Sequence, residues 1–183
     1  METAGTATNS FVQRLIGAAA CDIAIYEDVE ADRGATALAL VVVLCSSIAG
    51  GIGLTGLTGG PVNIAVLSVV SLMAWAAWAL LTYTIGVYLL PESQTRADVG
   101  QLLRTIGFAS TPGLLRVLGY IRPVALPVLA ATQIWMLVAM VVAVRQALDY
   151  RSTARAIAVC VMGWVLASAM AVTLGLLFAR PVS

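Results

Sequence analysis

The stretch LLRTIGFASTPGLLRVLGYI, residues Leu102–Ile121, decides how many times this chain crosses a membrane. Its 20 residues are about the number that an α-helix needs to cross a bilayer, and most of them are apolar. Residues that bend a helix or carry charge nevertheless interrupt it: Gly107, Pro112, Gly113, Arg116 and Gly119. The stretch is therefore open to three interpretations, as a kinked span, a re-entrant segment or a surface helix.

The composition of the whole chain indicates which solvent surrounds it. Of the 183 residues, 61% are hydrophobic and 10% are charged, and the mean hydropathy is +0.98. Soluble domains contain about 45–50% apolar and about 25% charged residues, so most of this surface must face lipid. A net charge of +1 without a cluster of basic residues excludes nucleic acid as a partner and leaves membrane lipids as the expected surroundings.

Four other segments are apolar and long enough to cross the bilayer. With Leu102–Ile121 as the third span, the predicted spans are 35–57, 62–90, 102–121, 124–144 and 156–179. The predicted fold class is all-α, a bundle of five transmembrane helices over residues 35–180.

An amphipathic helix is predicted before the first span. Residues 1–9 are polar, which argues against a signal peptide, and Ser10 is placed to cap a helix that runs to about Asp32. This helix is too polar to span a membrane. Residues 1–34 are therefore predicted to form a polar tail and a helix that lies at the cytoplasmic interface or docks under the bundle through arginine side chains.

The placement of arginine decides between a spanning and a non-spanning Leu102–Ile121, because cytoplasmic loops carry the excess of basic residues. With five spans, seven arginines lie on one side and Arg122 and Arg180 on the other. Those seven are Arg14, Arg33, Arg96, Arg104, Arg145, Arg151 and Arg155. Without the third crossing the division weakens to six against three. The prediction is five spans in the cytoplasmic membrane, with the N-terminus inside and the C-terminus outside.

Two residues of the third span are candidates for function. Arg116 is the one ionisable residue placed well within a predicted span, where it would line a substrate or ion path or would snorkel to the outer interface. We favour snorkelling, since no acidic residue lies at a matching depth. Pro112 would mark either a discontinuous helix at a transport site or a simple packing kink, and we favour the kink.

A second group of candidates lies at the cytoplasmic side. The acidic residues Glu27, Asp28, Glu30 and Asp32 would hold a hard cation or form ion pairs with basic residues of the bundle. We favour ion pairs with Arg104, Arg145 and Arg155, which lock the first helix to the bundle. Arg145 and Asp149 are four residues apart, a favourable helical pair, and the loop that they begin is also a plausible docking surface.

Small residues in the first span predict close helix packing. Ser46 and Gly50, like Ser47 and Gly51, are four residues apart and form faces that allow two helices to approach closely. We take these faces as an indication of a homo-oligomer.

Catalysis finds no support in the sequence. The chain has no His, no nucleophile or phosphate-binding motif, and three isolated cysteines without a metal-binding spacing. We therefore expect a protein that is not an enzyme and that needs neither a metal nor a cofactor.

Several motifs resemble those of Yip-domain proteins, small multi-spanning membrane proteins whose eukaryotic members interact with Rab-type GTPases. The similar segments are YEDVEADRGAT at 26–36, RTIGFASTPGLL at 104–115, VVAVRQALD at 141–149 with Trp135 before it, and STARA at 152–156. The resemblance covers roughly Ile23 to Phe178. It implies five spans with a cytoplasmic N-terminus. The Ala-, Gly- and Arg-rich composition points to a bacterial genome, in which the vesicle traffic of the eukaryotic members does not exist.

The leading functional hypothesis is thus a bacterial Yip-domain protein that acts as an interaction or membrane-organising module, with a cytoplasmic protein as partner. One alternative is a small-solute or ion transporter or channel, for which Arg116, Pro112, Asn63, Ser68 and Ser71 would be the path residues. The other alternative is a lipid-handling protein.

Overall fold

All regular elements that the structure describes are helical, which confirms the predicted all-α class. The computed structural model describes residues 9–58, 64–92, 95 and 98–178, with side chains at all of these except 58, 64–68, 70, 71, 74 and 167–178. The helices are α1 (Phe11–Ala19), α2 (Ile23–Ala31), α3 (Ala35–Thr58), α4 (Ile64–Thr84), α5 (Val99–Ala109), α6 (Ala125–Ala147) and α7 (Thr153–Phe178). A π-helical turn, Ile85–Leu89, continues α4, and a 3-10 segment, Thr111–Tyr120, continues α5.

The N-terminal region forms a hairpin of two helices, so the prediction of a single helix from Ser10 to Asp32 is wrong. Ser10 does cap α1, because its hydroxyl oxygen accepts from the Gln13 amide at 3.3 Å. The chain then reverses at Cys21, whose φ is 60°. The Cys21 amide donates to Ala18 O at 3.1 Å and the Asp22 amide to Gly17 O at 2.9 Å, the two bonds of a Schellman turn.

Two features of the sequence close this hairpin (α1 and α2). The Asp22 carboxylate caps α2 by accepting from the Ala24 amide at 3.0 Å. Gly17 lets the two helices touch, since a Cβ at this position would lie only 2.3 Å from Ile25 Cγ1. The reversal folds the acidic residues of α2 back over α1.

The helices of the bundle alternate in direction. At one end, which we call the hairpin end, one buried cluster joins the hairpin to the start of α3 and the second half of α6. A second cluster there joins the end of α4 and the starts of α5 and α7 to the end of α6. Five successive segments therefore each begin or end at the hairpin end: α3, α4, α5 with the 3-10 segment, α6 and α7.

The decisive stretch Leu102–Ile121 is not one α-helix. It consists mainly of Leu102–Ala109, which is most of α5, and the 3-10 segment, with Pro112 in the first turn of the latter. Together they run parallel to α3: Gly107 lies against Ala39, Gly113 against Ser46 and the Gly119 carbonyl against Gly56. The path from residue 39 to residue 56 of α3 covers about 26 Å at 1.5 Å per residue. The stretch thus follows α3 along most of its length.

Glycines on α3 make this close packing possible. A Cβ at Gly53 would lie 2.1 Å from the Arg116 carbonyl oxygen, and a Cβ at Gly56 would lie 2.0 Å from the Gly119 carbonyl oxygen. The small-residue face that includes Ser46 and Gly50 is therefore occupied by the chain's own 3-10 segment. The prediction of close approach holds for this face, but the partner is intramolecular and does not itself support a homo-oligomer.

Two helices among the described residues are long and apolar enough to cross a membrane, Ala35–Leu57 and Arg122–Ala147, with mean hydropathies of 2.3 and 2.1. Only 39% and 28% of the residues in these windows are buried, whereas the core helix of a soluble protein buries most of its apolar residues. The described apolar stretches of the α4 and α7 regions, Trp75–Leu89 and Thr153–Leu166, are shorter. The five-span count stays a prediction.

We expect Gly53→Ala and Gly56→Ala to destabilise the bundle, each by about 1–3 kcal/mol, because the new methyl group collides with a backbone carbonyl that cannot move alone. Gly50→Ala is the matched control, since its Cβ would lie 3.5 Å from the nearest atom, Arg116 Cδ. Thermal unfolding of the purified variants in mild detergent measures the difference. Equal losses for all three variants would contradict the packing described here.

Candidate functional site

A partly buried ion-pair network around Arg14 holds the hairpin together. Arg14 of α1 is 3% exposed and donates from Nε to Asp28 Oδ2 at 2.8 Å and from Nη1 to Asp32 Oδ2 at 2.7 Å. The hydrogen bond from Arg14 is the main reason why the pKa of Asp32 lies below its usual value. Two of the four predicted acidic candidates thus pair with an arginine of their own hairpin.

The hairpin docks on the bundle through the carbonyl groups at the ends of its helices. Arg104 of α5 is 5% exposed and donates to Val29 O at 3.2 Å and to Glu30 O at 2.6 Å, in the last turn of α2. Trp135 Nε1 of α6 donates to Ala19 O, the last residue of α1, at 2.7 Å. The C-terminal carbonyls of a helix have no partner within it, so these side chains satisfy groups that would otherwise need water.

Tyr26 completes this docking from the side of the hairpin. It is fully buried, and its hydroxyl lies 3.0 Å from Ala18 O and 3.4 Å from Ala139 O of α6. Burial raises the pKa of this hydroxyl above its ordinary value, so it stays protonated and serves as a hydrogen-bond donor. The hairpin is therefore joined to both α5 and α6.

The loop between α6 and α7 clamps the end of α4 at the same end of the bundle. The Tyr150 hydroxyl lies 2.8 Å from both Gly86 O and Leu90 O. Glu92 accepts from the amide nitrogens of Arg151 at 3.1 Å and Ser152 at 3.4 Å, and it lies 3.6 Å from Arg155 Nε. Arg155 also donates to Pro91 O at 2.9 Å.

The structure corrects the predicted partners of the acidic segment. Ion pairing does fix its Asp28 and Asp32, but the basic partner is Arg14, which became available only through the reversal of the chain. Arg104 contacts α2 through backbone carbonyls, and Arg155 pairs with Glu92. Among the described residues, no group of three or more His, Cys, Asp and Glu side chains is placed to hold a metal ion.

The end of α6 contains the other predicted pair. Asp149 has a φ of 54° and occupies the left-handed position of a second Schellman turn, in which its amide donates to Gln146 O at 3.0 Å and the Tyr150 amide to Arg145 O at 2.9 Å. The Nε of Arg145 donates to Tyr150 O at 3.2 Å. The predicted ion pair between Arg145 and Asp149 stays a prediction.

The acidic helix and this loop lie side by side. Gln146 Nε2 donates to Glu27 Oε1 at 3.1 Å. Burial and then the nearby charge of Asp149 raise the pKa of Glu30 from its ordinary 4.5 to about 7. The two segments that the sequence suggested as a docking surface therefore form one continuous surface.

Arg116 lines a cavity of about 800 Å³ between the helices. Its backbone carbonyl faces Gly53, but its Cδ and Nη1 lie 3.5 and 3.6 Å from where a Cβ of Gly50 would be, and its Nη2 donates to Gln133 Oε1. The side chain thus extends along α3 away from Thr58, about one helical turn from its own carbonyl. This direction is opposite to the one that snorkelling past Thr58 requires, and it favours the alternative, a residue that lines a path or a site; both interpretations of Arg116 stay predictions.

Pro112 is buried and lies in the first turn of the 3-10 segment, in agreement with a packing kink. The proposed path residue Asn63 lies outside the described residues, and the side chains of Ser68 and Ser71 lie outside the described side chains.

Six residues that the structure places at these sites were not candidates from the sequence: Arg14, Tyr26, Glu92, Gln133, Trp135 and Tyr150. A signal existed for Gln133, because an amide side chain within an apolar span is costly unless it has a partner. The pairing of Arg14 depends on the hairpin and could not be derived from local sequence.

No protein-family model, curated protein or solved structure matches the chain. The resemblance to Yip-domain proteins therefore depends on the quoted residues alone.

We expect Glu30→Gln to stabilise the protein at pH 8 and to have little effect below pH 4.5. The folded protein holds the Glu30 proton up to a pKa of about 7, whereas the unfolded chain releases it near 4.5. Protonated Glu30 therefore leaves the folded state at full stability below pH 4.5, and this stability falls as the pH rises towards 7. Thermal midpoints at pH 4.5, 6 and 8 measure the trend. Glu27→Gln, which removes an exposed carboxylate from the same helix, is the control, and a Glu30→Gln difference that does not grow with pH would refute this assignment.

Proposed function

We propose that the chain is a five-span integral membrane protein of the Yip-domain type that acts as a non-catalytic interaction or membrane-organising module. The observation that carries this proposal is the path of α5 and the 3-10 segment beside α3. Their 11 and 10 residues add to about 36 Å if laid end to end, which exceeds the hydrocarbon thickness of about 30 Å. If α3 crosses the membrane, the segment beside it reaches the same depth.

The surface of the bundle supports a lipid environment. Large apolar side chains are exposed on several helices, among them Met73 of α4 at 68%, Ile134 of α6 at 63% and Val161 of α7 at 53%. Exposed apolar surface of this extent is unfavourable in water and favourable in lipid. The apolar exterior and the alternating helix directions together favour five crossings.

The distribution of charge supports the orientation. Six arginines of the described residues belong to the hairpin end or its loops: Arg14, Arg33, Arg104, Arg145, Arg151 and Arg155. Arg122 lies in the turn at the opposite end, just before α6. By the positive-inside rule, the hairpin end is cytoplasmic.

The surface formed by α2 and the α6–α7 loop is the proposed place of interaction with a cytoplasmic protein. Its exposed charged residues are Glu27, Arg33, Arg145, Asp149 and Arg151. The buried charges Arg14 and Arg104 hold the hairpin in place and are not expected to contact a partner. A homo-oligomer remains part of the proposal, but it would form through the exposed apolar faces of α6 and α7.

Cysteine labelling tests the five-span topology. In a chain whose three cysteines are replaced by Ser, we expect Arg122→Cys to react with a membrane-impermeant maleimide from outside the cell. Arg151→Cys should react only after the membrane is opened. Both positions are exposed, so labelling does not disturb the packing. The inverted pattern, with Arg151→Cys labelled from outside and Arg122→Cys labelled only after the membrane is opened, would refute the third crossing.

Charge neutralisation tests the interaction surface. A double variant, Glu27→Gln with Arg151→Gln, should lose a cross-linked cytoplasmic partner that the wild type retains in mild detergent. Arg122→Gln removes an exposed arginine at the other end of the bundle and should retain that partner. Identical partners in all three samples would contradict the proposed surface.

A further inference from the structure

The cavity that contains Arg116 has the features of a binding site. Its walls come from α3, α4, α6 and α7, and the segment formed by α5 and the 3-10 helix contributes Ser110 and Arg116. The volume of about 800 Å³ lies within the roughly 300–1,000 Å³ of small-molecule sites. Most of the lining is apolar, and the aromatic side chains among it are Trp75, Trp78 and Trp164.

The charge of Arg116 has no counter-ion among the residues of the spans. The nine acidic residues of the chain all lie outside 35–91 and 99–148, and none follows residue 149. The Arg116 guanidinium donates a hydrogen bond to the side-chain amide of Gln133, which is neutral. A guanidinium carries five N–H donors, and the Gln133 amide nitrogen carries two more. The pair therefore presents a cluster of donors to an anion.

The depth of the cavity indicates how a ligand would lie. Arg116 reaches Gly50 of α3, about 5 Å from the middle of this 24-residue helix at 1.5 Å per residue. From there the apolar lining continues towards the hairpin end, to Val43 of α3 and Met140 of α6. A molecule with its charged group on Arg116 would therefore place its apolar part near the middle of the membrane.

We propose that this cavity binds an anionic membrane phospholipid, with the phosphate on Arg116 and Gln133 and an acyl chain along the tryptophan-lined wall. Charge complementarity selects the anion, and the extent of apolar lining selects a lipid over a small free anion such as inorganic phosphate. The site requires the membrane-embedded bundle of the proposed function but not its cytoplasmic interaction surface, so each can fail without the other.

Native mass spectrometry of the full chain in mild detergent tests the site. The probes are phosphatidylglycerol, which is anionic, and phosphatidylcholine, which is zwitterionic. We expect one phosphatidylglycerol per chain, bound at least about tenfold more tightly than phosphatidylcholine, since a charge-assisted hydrogen bond contributes roughly a factor of ten in affinity. Inorganic phosphate alone should not compete. Equal binding of both lipids, or competition by phosphate, would overturn the proposal.

Substitutions of Arg116 test whether this residue binds the lipid phosphate. Arg116→Gln should lower the affinity for phosphatidylglycerol about tenfold, to the level of phosphatidylcholine, and Arg116→Lys should keep most of the preference. Arg122→Gln, six residues further along the chain and exposed, is the matched control and should bind as the wild type. If Arg122→Gln loses as much as Arg116→Gln, or if Arg116→Gln binds like the wild type, the site is wrong.

A variant with a large side chain inside the cavity distinguishes lipid bound in the site from lipid bound on the outer surface of the bundle. Ala130 lines the cavity on α6, and Ala130→Phe should reduce the binding of both lipids while Arg116 is intact. Phosphatidylglycerol with brominated acyl chains should quench tryptophan fluorescence in the wild type and less in Ala130→Phe, because three of the four tryptophans line the cavity. Unchanged quenching would place the lipid outside and refute the proposal. Monodisperse elution and a preserved thermal midpoint establish that each variant is folded.

Discussion

The contact between the 3-10 segment and the glycine face of α3 is the constraint on which the rest of the bundle depends. The carbonyl oxygens of Arg116 and Gly119 lie where side chains of Gly53 and Gly56 would otherwise be. A 3-10 helix is narrower than an α-helix and rises about 2.0 Å per residue, so ten residues cover about 20 Å against α3. A run of this length is uncommon, and here it packs against both the glycine face of α3 and the side chains of Leu129 and Met136 of α6.

The hairpin depends on a second kind of constraint, the unsatisfied carbonyls at helix ends. Both of its helices end at the bundle, and each end receives a donor from it, Trp135 for α1 and Arg104 for α2. The Arg14 network then makes the two helices one unit, since the buried guanidinium of α1 would lose its counter-ions if Asp28 and Asp32 of the second helix moved away. Docking of a polar segment on an apolar bundle is thus achieved by few, well-placed hydrogen bonds.

The parts of the fold that follow from local pattern could be predicted, and the parts that follow from contacts between distant residues could not. The bounds of α3 and α6 lie within about three residues of the predicted spans, because long uninterrupted apolar runs set them. The turn at Cys21 was missed because its left-handed position carries Cys where such turns usually carry Gly. Pro112 marked a break, but the 3-10 conformation after it requires the facing glycines of α3.

The candidate sites divide in the same way. Sequence identified Arg116 as unusual from its depth alone, yet the direction of its side chain decides what it does, and that direction depends on Gly50 and Gln133. An arginine that extended past Thr58 would meet water and head groups, and its charge would need no explanation. An arginine that turns towards the middle of α3 loses that hydration, and its desolvation is costly unless an anion or a dipole replaces the water. The Gln133 amide supplies one dipole, and a lipid phosphate is an anion whose acyl chain the tryptophan-lined wall can accept.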